Sequence, residues 1–119
     1  MQIPGRNGYL GILPGHAPLI TELGIGEISY RENGQLHYLA VAWGFAEVLP
    51  DRVSVLAETA ERAEEVNVKR AEEASQRAKR RLNSDDPNVD CARAQRALAR
   101  AVTRLEVAAE TDRTRQQPK

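Results

Sequence analysis

The chain has 119 residues, with 17 basic and 17 acidic side chains and only one Trp, one Phe and three Tyr as aromatics. A formal charge of zero excludes a whole-chain field that would steer it to nucleic acid or an anionic membrane, and the lone Cys91 excludes an internal disulfide. Met1-Gln2-Ile3-Pro4 lacks the basic start and apolar stretch of an export signal, and no apolar run approaches the roughly 18 to 20 residues that span a bilayer, so the expectation is a soluble chain with no direct bilayer insertion.

Composition divides the sequence near position 50. All glycines and all aromatics come before it, whereas the residues after it are rich in Ala and Arg. The expectation is a β-sandwich over residues 1–60, an antiparallel α-helical hairpin over 61–110 and a disordered tail over 111–119.

Short apolar runs separated by Gly and Pro read as strands: Tyr9 to Leu13, Leu19 to Leu23, Ile25 to Tyr30, Gln35 to Trp43, Phe45 to Leu49 and Val53 to Ala57. Pro14-Gly15 and Pro18 define a rigid loop. Asn33-Gly34 predicts a tight hairpin turn, because both central residues accept positive φ at low steric cost. The strand from Leu36 is apolar on both faces, which predicts a central position.

After Glu58 the period lengthens. Ala71, Ala74, Ala78 and Leu82 recur at helical spacing behind Asn67, a residue whose side chain caps a helix start, so the first helix is predicted from about Asn67 to Leu82. Asn83 to Pro87 breaks it. Asp86 or Asn88 is the expected cap of a second helix that ends near Ala109, with Ala94, Ala97, Leu98, Ala101 and Leu105 on its apolar face. Alanines at these positions let the two helices approach closely.

No catalytic constellation is visible. His16 and His37 have no nearby Cys or carboxylate at metal-ligand spacing, and no phosphate-binding glycine loop or nucleophile motif occurs. Arg70, Arg77 and Arg81 share one helical face, and Arg93, Arg96, Arg100 and Arg104 form a second stripe. Such stripes read either as solvated faces or, if the hairpin brings them together, as a site for a phosphate tail. Interleaved glutamates and the absence of stacking aromatics argue against nucleic acid.

The run Leu10-Gly11-Ile12-Leu13-Pro14-Gly15-His16-Ala17-Pro18-Leu19, with Val55-Leu56-Ala57-Glu58, resembles the epsilon-subunit family of F-type ATP synthases over about residues 3 to 108. Val66-Asn67-Val68-Lys69-Arg70-Ala71 is similar to the sequence some members use to bind ATP, with Asn67 where the family has an aspartate. The resemblance implies a candidate ATP site at Glu61, Asn67, Arg70, Ala71, Arg77, Arg100 and Arg104, with ATP a regulatory ligand and no cofactor required. It also implies a contact with the membrane c-ring through Tyr9, Gly15 and His16.

By the same resemblance the chain is non-catalytic, clamps the gamma subunit, and extends its helices into the catalytic alpha/beta head to block ATP hydrolysis. Its implied location is peripheral, on the cytoplasmic face of the bacterial plasma membrane. Against the family pattern the chain reads as lacking its first N-terminal strands. The alternative from another class is a freestanding nucleotide-sensing or scaffold module of the same architecture.

Overall fold

The computed structural model describes the backbone of residues 1–116 and the side chains through Glu110. Five antiparallel strands, β1 (Gln2–Gly5), β2 (Gly8–Gly11), β3 (Leu19–Glu32), β4 (Gln35–Leu49) and β5 (Arg52–Arg62), are followed by a 3-10 turn (Ala63–Glu65) and two helices, α1 (Val68–Leu82) and α2 (Cys91–Gln116). This is the expected β-sandwich followed by a helical hairpin. The strand order is β2-β1-β3-β4-β5.

Asn33 and Gly34 have φ of 54° and 77° and close the β3–β4 hairpin between Glu32 and Gln35, the turn the sequence predicts. Four expected strands are two. Leu19 to Tyr30 lies within β3, and Gln35 to Leu49 is unbroken as β4. Gly24 and Trp43 drop out of the register that pairs Leu23 with Gly44 and Ile25 with Ala42.

That local break bends the sheet. Strict alternation would put Val41 on the opposite face from Ala46 and Val48, yet all three enter one core with Ile3, Ile12, Leu23 and Ile28. The facing changes because Trp43 takes φ 56° and Gly44 φ 122°. A Cβ on Gly44 would lie 2.0 Å from the Leu56 carbonyl oxygen, so only glycine fits where β4 crosses β5.

Beyond the bend β4 is covered on both sides, as its two apolar faces predict. Val41 faces the sandwich core, while Ala40, with Ala63 and Val107, forms a second cluster that seats α2 against the sheet. The hairpin interface consists of small residues, Ala71, Ser75 and Ala78 on α1 and Ala94 and Ala101 on α2, all buried. Close approach replaces bulk here.

Three sequence expectations are corrected at element ends. β1 was unforeseen because Pro4 and Gly5 are strand breakers; Pro4 is tolerated where the β1–β3 register shifts. The second helix is capped by Asp90, whose Oδ1 accepts from the Arg93 N–H at 3.0 Å, rather than by Asp86 or Asn88. Asp86 instead makes a turn, accepting from the Asn88 N–H at 2.9 Å. α2 also continues past Ala109 to Gln116. Of the tail expected over 111–119, only the backbone of 111–116 is described, and 117–119 lie outside the described residues.

Candidate functional site

The end of β5, the 3-10 turn and both helices enclose a cleft of about 560 Å³, a volume within the usual range for small-molecule sites. Its walls carry Glu61, Glu65, Asn67, Arg70, Ala71, Ala74, Arg77 and Arg104. Six of the seven residues singled out for nucleotide therefore share one cleft. The seventh, Arg100, lines an adjoining recess with Thr103, Arg104 and Glu61.

Each position follows from local structure. Asn67 Oδ1 accepts from the Arg70 N–H at 3.1 Å and starts α1, which fixes the turn carrying Arg70 and Ala71. Arg70 and Arg77 are two helical turns apart and share a face. Arg100 and Arg104 are one turn apart on α2, facing β4 and β5 because Ala101, Val107 and Ala108 are buried. Glu61 sits on β5 opposite Ala40, directly under α2.

Arg104 Nε donates to Glu61 Oε1 at 2.9 Å, and both side chains are about one-third exposed. Three guanidinium groups and two carboxylates line the cleft, and Arg100 adds a further positive charge beside it. Such a cleft is suited to an anion with several oxygens, since guanidinium forks match phosphate geometry. Glu65 and Ala74 also line the cleft but are not among the seven residues expected there. Ala74 lies three residues after Ala71, a spacing that places it on the same helix face.

Tyr9, Gly15 and His16 are in separate settings. The Tyr9 hydroxyl accepts from the Glu27 N–H at 3.1 Å across the sheet, and the residue is 57% exposed. The Gly15 N–H donates to the Pro50 carbonyl at 3.2 Å in the β4–β5 turn, and His16 Nδ1 lies 2.7 Å from the Ala17 carbonyl oxygen. No hydrogen bond among the described residues joins Tyr9 to the Gly15–His16 loop.

A larger cavity, about 770 Å³, opens between the sandwich edges and is lined by Met1, Ile12, Leu36, Leu39, Val53 and Val55 among others. It is mainly apolar and lacks the arginine cluster of the smaller cleft. Among the described residues no group of three His, Cys, Asp or Glu side chains is placed to hold a metal ion, and no helix is long and apolar enough to cross a membrane.

The outer face of the sheet below the bend is uncovered. Phe45 is 50% exposed between its cross-strand partners Glu22 and Leu56, with Ile20 one pair further along, and Leu56 is 76% and Ile20 70% exposed. Glu22 pairs with Phe45 and Glu47 with Ile20, so two carboxylates flank this apolar strip.

Comparison with known proteins divides the chain at the same junction as the structure. Residues 1–63 match the family described as ATP synthase, Delta/Epsilon chain, beta-sandwich domain, and residues 64–109 match the corresponding long alpha-helix domain. The ATP synthase epsilon chain of Koribacter versatilis (strain Ellin345) is 70% identical over 87 residues, which are 73% of this chain and 61% of that relative. The epsilon chain of Moorella thermoacetica is 51% identical over 106 residues, covering 88% of this chain and 79% of its own length.

Among solved structures, a chain of the Euglena gracilis mitochondrial ATP synthase, determined as an OSCP/F1/c-ring assembly, superposes with a TM-score of 0.73 at 23% identity. The match covers 93% of this chain and 67% of that one, and at this identity it speaks to the fold.

Proposed function

This chain belongs to the ATP synthase delta/epsilon family, and from that premise we propose that it works as the epsilon subunit in the central stalk of a proton-translocating F-type ATP synthase. In this reading it catalyses nothing itself. The sandwich couples the rotating gamma subunit to the membrane c-ring, and the helical hairpin regulates ATP hydrolysis at the alpha/beta head. The protein sits peripherally on the cytoplasmic face of a bacterial plasma membrane.

The observation that carries this reading is the uncovered strip of Ile20, Phe45 and Leu56 on the outer face of the sheet. Three large apolar side chains side by side, rimmed by carboxylates, support a docking face rather than a solvated one. Gamma is the proposed occupant. Phe45→Asp should abolish co-elution with gamma while leaving the circular dichroism of the chain unchanged; retained co-elution would count against this face.

The cleft supports the regulatory half of the proposal. Arg70 and Arg77 come from α1 and Arg104 from α2, so a ligand that touches all three favours the closed hairpin. A ligand shifts such an equilibrium only by its differential affinity for the two states. ATP held between the helices therefore keeps the arm folded and hydrolysis permitted, and loss of ATP frees the arm to extend. ATP titrations of wild type and Arg77→Ala test this, with weaker uptake expected in the variant and equal uptake contradicting it.

A further inference from the structure

Among the described residues β5 pairs with β4 alone and stands last in the sheet, so its other side is an open edge. Edge strands invite further pairing and are commonly blunted by charge, proline or brevity. β2, at the opposite end of the sheet, is only four residues long. β5 runs from Arg52 to Arg62 and presents Val53-Ser54-Val55-Leu56-Ala57 with neither charge nor proline. Beside this stretch opens the apolar cavity of about 770 Å³, which Val53 and Val55 help to line.

The direction of the free main-chain groups follows from Gly44. The Leu56 carbonyl points at Gly44 on β4, where an added Cβ would collide with it. Main-chain groups alternate sides along an antiparallel strand, so the N–H and C=O of Val53, Val55 and Ala57 point outward to the open edge. Their side chains pack against the sandwich core, whereas Arg52, Ser54, Leu56 and Glu58 are exposed on the outer face.

We propose that this edge is an interaction surface for a second copy of the chain, joined β5 to β5 about a two-fold axis at Val55. In that register Val55 faces Val55 of the copy and Val53 faces Ala57, and each such pair exchanges two main-chain hydrogen bonds. Val53, Val55 and Ala57 then meet their own counterparts and carry the apolar inner layer across the join. On the outer face Arg52 falls opposite Glu58 of the copy, twice by symmetry. Moving the axis to Ser54 or Leu56 sets Arg52 against Leu56 or Ala60 instead, so the charges select the register. The second copy stands beside Leu56, on the face of the strip assigned to gamma. The pairing is therefore a state of the chain outside the assembly, and it does not depend on the central-stalk reading.

The test is sedimentation equilibrium of the full chain from micromolar to millimolar concentration. The mass should rise with concentration to twice the 13.2 kDa of one chain. Arg52→Glu and Glu58→Arg each bring like charges together at both ends of the join and should weaken association about tenfold or more. The chain carrying both substitutions should regain wild-type association. In the wild type itself, the Val55 and Ala57 amides should exchange slowly only where the dimer forms, while the Leu56 amide, bonded to β4, is slow throughout.

A chain that stays monomeric overturns the proposal. A dimer that both single variants leave unchanged, or in which the Val55 amide exchanges as in the monomer, forms through another surface and overturns it as well. Weakening by the single variants without recovery in the double one, all with wild-type circular dichroism, removes the pairing of Arg52 with Glu58 and with it the proposed join.

Discussion

Arg104 on α2 lies 2.9 Å from Glu61 on β5, forty-three positions earlier in the chain. It is an ion pair that joins the helical hairpin to the sandwich. Its surroundings explain why it holds: Val107 and Ala101 are fully buried one turn to either side, so α2 is set against the sheet before the charges meet. The pair fixes register while the apolar contact supplies most of the adhesion.

Arg104→Ala should therefore loosen the arm without unfolding the sandwich, at a cost of about 1 kcal/mol. Hydrogen exchange reads this directly. Amides of α2 should exchange faster in the variant, and those around Ile28 and Val48 should keep wild-type rates; uniform acceleration would mean that the two domains unfold as one unit.

Gly44→Ala should be far more damaging. The added methyl would meet the Leu56 carbonyl oxygen at 2.0 Å on a backbone with φ of 122°, and the neighbour is main chain that cannot rotate away. Urea denaturation should show a loss of about 3 kcal/mol or more, the scale of a strained backbone plus a core clash. A loss below about 1 kcal/mol would mean that the bend at Trp43–Gly44 can relax.

Asn67 supplies its side-chain oxygen to the Arg70 N–H, so Asn67→Ala should cost about 1 kcal/mol and fray the first turn of α1, whereas Asn67→Asp should cost little because a carboxylate caps equally well. Thermal unfolding followed at the helix signal checks both variants. Equal losses in the two would show that the cap contributes little.

Much of this was legible from residue order. Asn33-Gly34 announced its hairpin because few residues other than these accept positive φ twice in succession. The alternation from Leu36, apolar on both faces, announced a strand covered twice. The grouping of Arg70, Arg77 and Arg104 with Asn67 came from the family resemblance, since residue order alone left the arginine stripes open between solvated faces and a phosphate site.

What escaped did so for identifiable reasons. Gly24 and Trp43-Gly44 read as strand ends but are a corner, because a register that persists across an irregular pair leaves no mark in composition. β1 was hidden by Pro4, which a local shift in pairing accommodates. Pro87 drew the expected helix start several residues early, since proline is as much a turn residue as a first helical one. The uncovered strip at Phe45 was invisible because exposure on a strand depends on where the sheet turns.

In the assembled enzyme, deleting residues from Asn67 onward removes both helices and the arginines they carry. If ATP holds the arm folded as proposed, ATP hydrolysis should rise severalfold at low ATP and converge with the full chain at high ATP. Unchanged hydrolysis at low ATP would remove the case for an inhibitory arm.

The most direct measurement is size-exclusion chromatography with light scattering of this chain expressed together with a gamma subunit, beside Leu56→Asp as a control. The account predicts a one-to-one complex for wild type and separate elution for the variant. Separate elution of the wild-type chain, folded and with its hairpin intact, would contradict assignment to the central stalk.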